Sequence, residues 1–295
     1  MSLEQVAQIL GCPPPPVDIV ITGWSIDSRT VAPGDLFFAL RGERHDGHDH
    51  VPAALAQGAV SAIVEKPRAG KNLLQVDNTA RALQQLAARG RELWSGTVIA
   101  VTGSAGKTST KDMVATLVGV EHATGKTVGN LNNHLGVPLS LLRIVDTARY
   151  AVLEMGMNHS GEIRHLCQIA RPQVAVVTNV GYAHIENFPS IEAIAAAKRE
   201  LVEALPDDGL AVLNFDDIHV RQFPFPGKRV RYGLNEGADV RPGQVHLGAL
   251  DTTFSLDGVN FRTQLTGRHS LSNLLAGLTV ARELGTRFYH RPESS

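Results

Sequence analysis

The sequence predicts an α/β fold in two parts. A small N-terminal α/β domain occupies residues 1–95, and a P-loop-type central domain, with a mostly parallel sheet and a small antiparallel addition, occupies 96–295. Three observations carry this reading. From Thr97 onward the chain repeats apolar strand, turn and amphipathic helix. The strand-like runs there are apolar on both faces, as in a parallel sheet covered by helices. After Arg229 the helical period gives way to alternation. A length of 295 residues also suits two domains of roughly 150 residues each.

In chain order, extended runs fall at Asp18 to Ile21, Asp35 to Leu40 and Ala59 to Val64, with helical patterns at Pro52 to Gln57 and Asn78 to Leu93. The prolines from Pro13 to Pro16 make a stiff connector after a first short helix. Ser95-Gly96 marks the domain boundary. Thr97 to Val101 is apolar and β-branched, and Thr108 to Val118 follows with Met113, Leu117 and Val118 at helical spacing. Tyr150 to Leu153, Val174 to Thr178 and Leu210 to Leu213 are further strands, each ending in polar residues. Ligands bind at the carboxyl ends of strands in open parallel sheets, so Glu154, Asn179 and Asn214 to Asp217 stand where chemistry is expected. A helix from Ser190 puts Ile191, Ile194, Leu201 and Leu205 on one stripe. Between Arg229 and Leu265, Asp257-Gly258 joins Thr252–Leu256 to Val259–Leu265 as a two-residue hairpin turn, which makes this region a local antiparallel addition. A last helix from near Arg268 aligns Leu271, Leu274, Leu275 and Leu278.

Composition excludes several classes. A hydrophobic content of 43% is too high for a disordered chain. Lys plus Arg (28) against Asp plus Glu (29) leaves a net charge of −1, so no bulk charge draws the chain to nucleic acid or acidic membranes, and an anionic ligand needs a local site. Cys12 and Cys167 are too few for a disulfide scaffold, and no His/Cys cluster has zinc-ligand spacing. Met1 to Gly11 carries Glu4 and alternates polar with apolar residues, unlike a signal peptide, and no run of ~18 apolar residues occurs. The expectation is a cytoplasmic, monomeric protein with no nucleic-acid partner and no membrane insertion.

Thr102-Gly103-Ser104-Ala105-Gly106-Lys107-Thr108, between a strand and a helix, reads as a phosphate loop. Glycines let backbone N–H groups turn inward, the helix N-terminus adds positive dipole, Lys107 neutralises phosphate oxygens and the Thr108 hydroxyl suits Mg²⁺. The full pattern has Gly six residues before the Lys, where this chain has Val101. The competing reading is a glycine turn with a surface lysine. Glu154 is either a metal-holding carboxylate or a solvated loop residue, and His184 either a metal ligand or a satisfied loop histidine. Lys198 falls within the apolar stripe of its helix. It either snorkels to water or has a depressed pKa or a covalent modification.

These residues resemble the Mur ligases of peptidoglycan synthesis, over about Ser25 to Gly285. The 102–108 loop looks like the family's ATP loop, which implies nucleotide contacts from Gly103, Ser104, Ala105, Gly106, Lys107, Thr108 and Ser109. Gly129-Asn130-Leu131-Asn132-Asn133-His134-Leu135-Gly136-Val137-Pro138 looks like a segment of the branch that joins D-Ala-D-Ala to UDP-N-acetylmuramoyl-tripeptide, with Asn130 and Asn133 as substrate contacts. Glu154-Met155-Gly156-Met157-Asn158-His159-Ser160-Gly161-Glu162-Ile163 resembles a block whose first Glu ligates Mg²⁺. His184 aligns with a histidine that holds a second Mg²⁺, and Lys198 with a lysine carbamylated to bind metal. Gly267-Arg268-His269-Ser270-Leu271-Ser272-Asn273 is similar to the adenine-side motif, with Ser270 where the family usually has Asn and Asn273 as the adenine contact. Asp27-Ser28-Arg29, Pro33-Gly34-Asp35-Leu36-Phe37 and Asp46-Gly47-His48 resemble the UDP-sugar domain, which implies substrate contacts from Ser28, Arg29, Asp46, Gly47 and His48.

The resemblance implies ATP-dependent amide-bond formation through an acyl phosphate, with Lys107, Lys198 and His184 catalytic and Thr108, Glu154, His184 and carbamylated Lys198 holding two Mg²⁺. Family members continue into a C-terminal ligase domain that has no counterpart after Gly285. The chain is therefore expected to bind its UDP-sugar peptide and ATP without joining D-Ala-D-Ala at an appreciable rate. The rivals are a nucleotide- or UDP-sugar-binding fragment without turnover and a sister ligase adding another amino acid. The absence of a basic stretch disfavours a nucleic-acid NTPase.

Overall fold

Ser2 starts the first helix, α1 (Leu3–Leu10), through a capping box. Its hydroxyl accepts the Gln5 N–H at 3.3 Å, and the Gln5 side chain accepts the Ser2 N–H at 2.8 Å. The computed structural model describes residues 1–42, 45–66, 72–144, 148–183 and 185–286. They fall into two compact units, one of Met1–Ser95 with His134–Ile144, the other of Gly96–Asn133 with the chain after Ile144.

In the first unit, β1 (Gly23–Ser25), β2 (Asp35–Phe38), β3 (Ser61–Val64) and β4 (Leu74–Gln75) form a parallel sheet in chain order. The run Asp18 to Ile21 stays outside that sheet. Val20 makes an isolated bridge to Ser2 and the Asp18 carboxylate accepts the Glu4 N–H at 2.9 Å, so the segment is spent on holding α1. Helix α2 (Val51–Gln57) follows a short 3-10 turn, and α3 (Thr79–Leu93) is capped by Asn78, whose side chain accepts the Arg81 N–H at 2.8 Å. Phe37, Ala39, Val51, Ala54 and Val64 form part of this unit's core.

The second unit opens with β5 (Thr97–Thr102), α4 (Lys107–Val118) and β6 (Thr124–Lys126). The chain then supplies α5 (Gly136–Leu142) to the first unit. There α5 packs on α3 and β1, and Arg143 donates from Nε and Nη2 to the Trp24 carbonyl at 3.0 and 2.9 Å. It returns as β7 (Tyr150–Glu154), α6 (Glu162–Ala170), β8 (Val174–Val177), α7 (Ile191–Glu203), β9 (Leu210–Asn214) and β10 (Lys228–Tyr232). The six strands form an all-parallel sheet in the order β10-β9-β8-β5-β7-β6.

The alternation that begins at Arg229 thus includes an element that is not antiparallel. β10 pairs parallel with β9 at the sheet edge, burying Val230 and Tyr232 while Lys228 and Arg229 face solvent. An edge strand meets water on one side, so its sequence alternates although its pairing is parallel. The antiparallel addition is confined to β11 (Gly243–Leu247), β12 (Thr252–Leu256) and β13 (Val259–Thr263). Asp257 and Gly258 at its turn have φ of 50° and 80°, as a two-residue turn with both central residues left-handed requires. Helix α8 (Arg268–Glu283) buries Leu271, Leu275 and Leu278 in one core with Val114 and Val118 of α4.

Helix α6 has no capping side chain of its own. Its first turn is capped by Glu200 of α7, 5% exposed, whose carboxylate accepts the N–H groups of Gly161 at 2.7 Å and Arg164 at 3.0 Å. Glu200→Ala removes both acceptors at once. The expected loss is about 1–3 kcal/mol of unfolding free energy, read from urea denaturation. Among the described residues no helix is long and apolar enough to cross a membrane.

Candidate active site

The segment between β5 and α4 is held closely against the end of β8 and the start of α8. Gly103 has φ of 155° and Gly106 has φ of 79°. A Cβ on Gly103 would overlap Thr178 Oγ1, and one on Gly106 would stand 2.6 Å from Asn273 Oδ1. Only glycine gives the backbone both the conformation and the clearance. The Thr178 hydroxyl donates to the Ala105 carbonyl at 2.7 Å. Asn179 accepts the Ala105 N–H at 2.9 Å, and Ser104 Oγ accepts the Gly181 N–H at 2.8 Å.

These tethers occupy some of the donors expected for a ligand. The Ser104 N–H also bonds to the Asn179 carbonyl at 3.0 Å, so Ser104 and Ala105 spend their amides on loop geometry. The open donor end is the first turn of α4, which carries Lys107, Thr108 and Ser109 and has no side-chain cap. Lys107 folds over the loop, with Nζ donating to the Gly103 carbonyl at 2.8 Å and the Ser104 carbonyl at 3.4 Å. Burial lowers its pKa, while the Glu154 carboxylate pulls the other way.

Glu154 ends β7 and is only 2% exposed, which removes the solvated-loop reading. Its Oε2 accepts the Thr108 hydroxyl and its Oε1 accepts the Asn132 amide, each at 2.8 Å. Its N–H donates to Thr127 Oγ1 at 3.2 Å. Asn132 is the residue that sequence reasoning passed over in favour of Asn130 and Asn133. Its carbonyl also accepts the Gly156 N–H at 2.8 Å. Asn130 and Asn133 are exposed. The only advance signal for Asn132 was its place in the same polar segment.

Lys198 is 2% exposed, so it does not snorkel. Burial first, and then repulsion from the Lys107 ammonium, bring its pKa down from 10.5 to about 7. His184 lies outside the described residues. Among the described residues, no three His, Cys, Asp or Glu side chains gather as a ready-made metal site.

Beside the loop is a cavity of about 560 Å³ lined by Asn273, Asn179, Asn214, Asp217, Leu234 and Arg268, among others. The Asp217 carboxylate is engaged by the N–H groups of Val180, His219 and Val220, each at 2.9 Å, and therefore shapes the wall.

In the first unit, Arg29 is exposed and pairs with Asp27 at 2.6 Å, and its hydrogen bonds hold the Asp27 carboxyl down at about 2. Ser28 between them is half-buried. His48 is buried, its Nδ1 lying 2.5 Å from Asp46 and its Nε2 accepting the Glu65 N–H at 2.8 Å. With Nε2 an acceptor, the ring proton sits on Nδ1 and points at Asp46. Gly47 passes so close to Leu40 that a Cβ would stand 2.6 Å from its carbonyl oxygen.

Residues 101–281 match the Mur ligase middle domain. The chain belongs to the Mur ligase family. Residues 20–91 match a second description, "Mur ligase family, catalytic domain". A Synechocystis UDP-N-acetylmuramoyl-tripeptide–D-alanyl-D-alanine ligase is 40% identical over 276 residues, covering 91% of this chain and 59% of the relative. The crystal structure of MurF from Acinetobacter baumannii superposes with a TM-score of 0.85 at 34% identity, covering 96% of this chain and 65% of that one. A MurF ligase from Thermotoga maritima, solved in complex with ADP, gives 0.79 at 34% identity, covering 92% and 65%. This Mur ligase chain thus spans roughly three fifths of the length of the curated relatives it matches.

Proposed function

We propose that this chain supplies the nucleotide- and UDP-muramoyl-peptide-binding parts of a ligase that joins D-Ala-D-Ala to UDP-N-acetylmuramoyl-tripeptide at the expense of ATP. The observation that carries the reading is Glu154, a buried carboxylate whose oxygens face the Thr108 hydroxyl at the open end of α4 and the Asn132 amide. A carboxylate beside a hydroxyl is the kind of hard oxygen pair that would suit Mg²⁺, and the Asn132 amide would hold the carboxylate in place. Thr108 and Glu154 would hold one Mg²⁺, and His184 with Lys198, once carbamylated, a second. Mg²⁺, when bound, neutralises negative charge on the phosphate oxygens during transfer.

The first-turn amides of α4 receive the phosphates, and Lys107 exchanges its two loop carbonyls for phosphate oxygens. The terminal carboxylate of the UDP-muramoyl peptide then attacks the γ-phosphorus, breaking its bond to the β,γ-bridging oxygen and releasing ADP. The amine of D-Ala-D-Ala adds to the acyl carbon and loses a proton as phosphate departs. Asn273 and the cavity beside it take the nucleoside end of ATP. Ser28, Arg29, Asp46 and Gly47 take the UDP-sugar, with His48 orienting Asp46. ATP as co-substrate and free cysteines suit a cytoplasmic setting.

Calorimetric titration with MgADP and separately with UDP-N-acetylmuramoyl-tripeptide tests the reading. One saturable site for each is expected, and failure of either ligand to bind overturns it. Phosphate release that depends on both the tripeptide and D-Ala-D-Ala measures how far ligation proceeds on this chain alone.

A further inference from the structure

Lys111 has no part in the mechanism above, yet it is one of the most buried large side chains described, at 2% exposure. It lies one turn beyond Lys107 on α4. Its ammonium donates to the Thr127 carbonyl at 3.0 Å and stands 3.4 Å from the Asp112 carboxylate. Asp112 is exposed and has a shorter partner in Lys126 at 2.8 Å, so it does not depend on Lys111. Taking an ammonium out of water for one good carbonyl bond is unfavourable, and an apolar side chain of similar length would fill the space without that penalty.

What Lys111 holds gives the charge a purpose. Thr127 follows β6, and its N–H extends the ladder to the Val152 carbonyl at 3.0 Å. Its hydroxyl accepts the Glu154 N–H, and the segment beginning there runs on to Asn132, which holds Glu154 Oε1 and the Gly156 N–H. Residues 127–132 are therefore fastened to Glu154 at both ends, and Lys111 anchors the end nearer the sheet.

We propose that Lys111 is a positioning residue. It fixes Thr127, and through Thr127 the backbone of Glu154, so that the Glu154 carboxylate meets a nucleotide-bound divalent cation in register with Thr108. This rests on the reading of Glu154 as a Mg²⁺ ligand.

The test is calorimetric titration of ADP with and without Mg²⁺, on the wild-type chain, Lys111→Met, Thr127→Val and Thr127→Ser. In Lys111→Met, metal-free ADP affinity is expected to stay near the wild-type value. The Mg²⁺ concentration needed for half-maximal enhancement should rise about 10–100-fold, as when a group behind a metal ligand is removed. Thr127→Val should shift in the same direction, and Thr127→Ser, which keeps the hydroxyl, should restore the wild-type response. A filler role would leave the metal response unmoved. An unchanged Mg²⁺ response in Lys111→Met, or equal responses of the two Thr127 variants, overturns the proposal. If Lys111→Met does not fold, the Thr127 pair decides. A wild-type chain whose ADP binding ignores Mg²⁺ would instead remove the assignment of Glu154.

Discussion

Lys107→Ala is expected to weaken MgADP binding about 10–100-fold while the chain stays folded. The wild-type ammonium is half-buried and bonded to the carbonyls of Gly103 and Ser104, so removing the side chain takes away hydrogen bonds within its own loop and none of the sheet's ladder bonds. Against phosphate the same ammonium would make charge-assisted bonds worth about 1.5–3 kcal/mol, and each 1.4 kcal/mol is a factor of about ten in affinity. Burial has already lowered its pKa, so the charge is partly stripped of water before a ligand arrives. Equal MgADP affinities for wild type and variant in a calorimetric titration would refute the loop assignment.

The second large effect belongs to Lys198. Its pKa falls from 10.5 in the unfolded chain to about 7 in the fold, so the unfolded chain binds the proton more tightly across that interval. The buried ammonium therefore destabilises the protein in full below about pH 7, and the penalty fades as pH rises from 7 towards 10.5. In CO₂-free buffer, Lys198→Met should be more stable than wild type by several kcal/mol at acid pH, with the advantage shrinking towards alkaline pH. A stability difference that is flat with pH would contradict this account.

The same shift bears on carbamylation. Roughly half of Lys198 is the neutral amine at pH 7, about a thousand times the fraction in an ordinary lysine. Its lone pair can add to the carbon of CO₂, with one N–H proton passing to solvent, to leave an anion beside Lys107 in place of a second cation. A ¹³C carbamate resonance should appear with labelled bicarbonate in the wild type and be missing in Lys198→Met. A spectrum without it in both would sink the carbamate assignment.

The parts of the site legible in the sequence are those decided locally. A β-branched run, a glycine turn and Thr108 to Val118 place the 102–108 loop between strand and helix because backbone sterics and helix periodicity act over a few residues. Glu154 was legible as a strand end, and Lys198 as a cation on an apolar stripe. Asn132 was hidden because its partner is chosen by the return of the chain past β7, which no spacing records. Lys111 carries no signal in the sequence, and its burial and its bond to Thr127 show only in the fold. His48, a substrate contact by the family resemblance, has both ring nitrogens engaged within the first unit, an arrangement that no spacing records. β10 misled for a different reason, since edge position and antiparallel pairing produce the same alternation.

The allocation of α5 to the first unit bears on how the polypeptide comes off the ribosome. When Ser95 has emerged, α3 still lacks α5, the helix that packs on it and that buries Val137 and Leu139. By the time Ile144 is available, β5, α4 and β6 are already exposed and still waiting for β7 and β8, the two strands that flank β5. The two units must therefore mature in an interleaved order, in contrast to the usual completion of an N-terminal domain before the next begins. Cleaving the gene after Ser95 would yield an N-terminal piece with an uncovered apolar face, whereas a fusion of residues 1–95 to 134–144 would carry everything that unit needs to close.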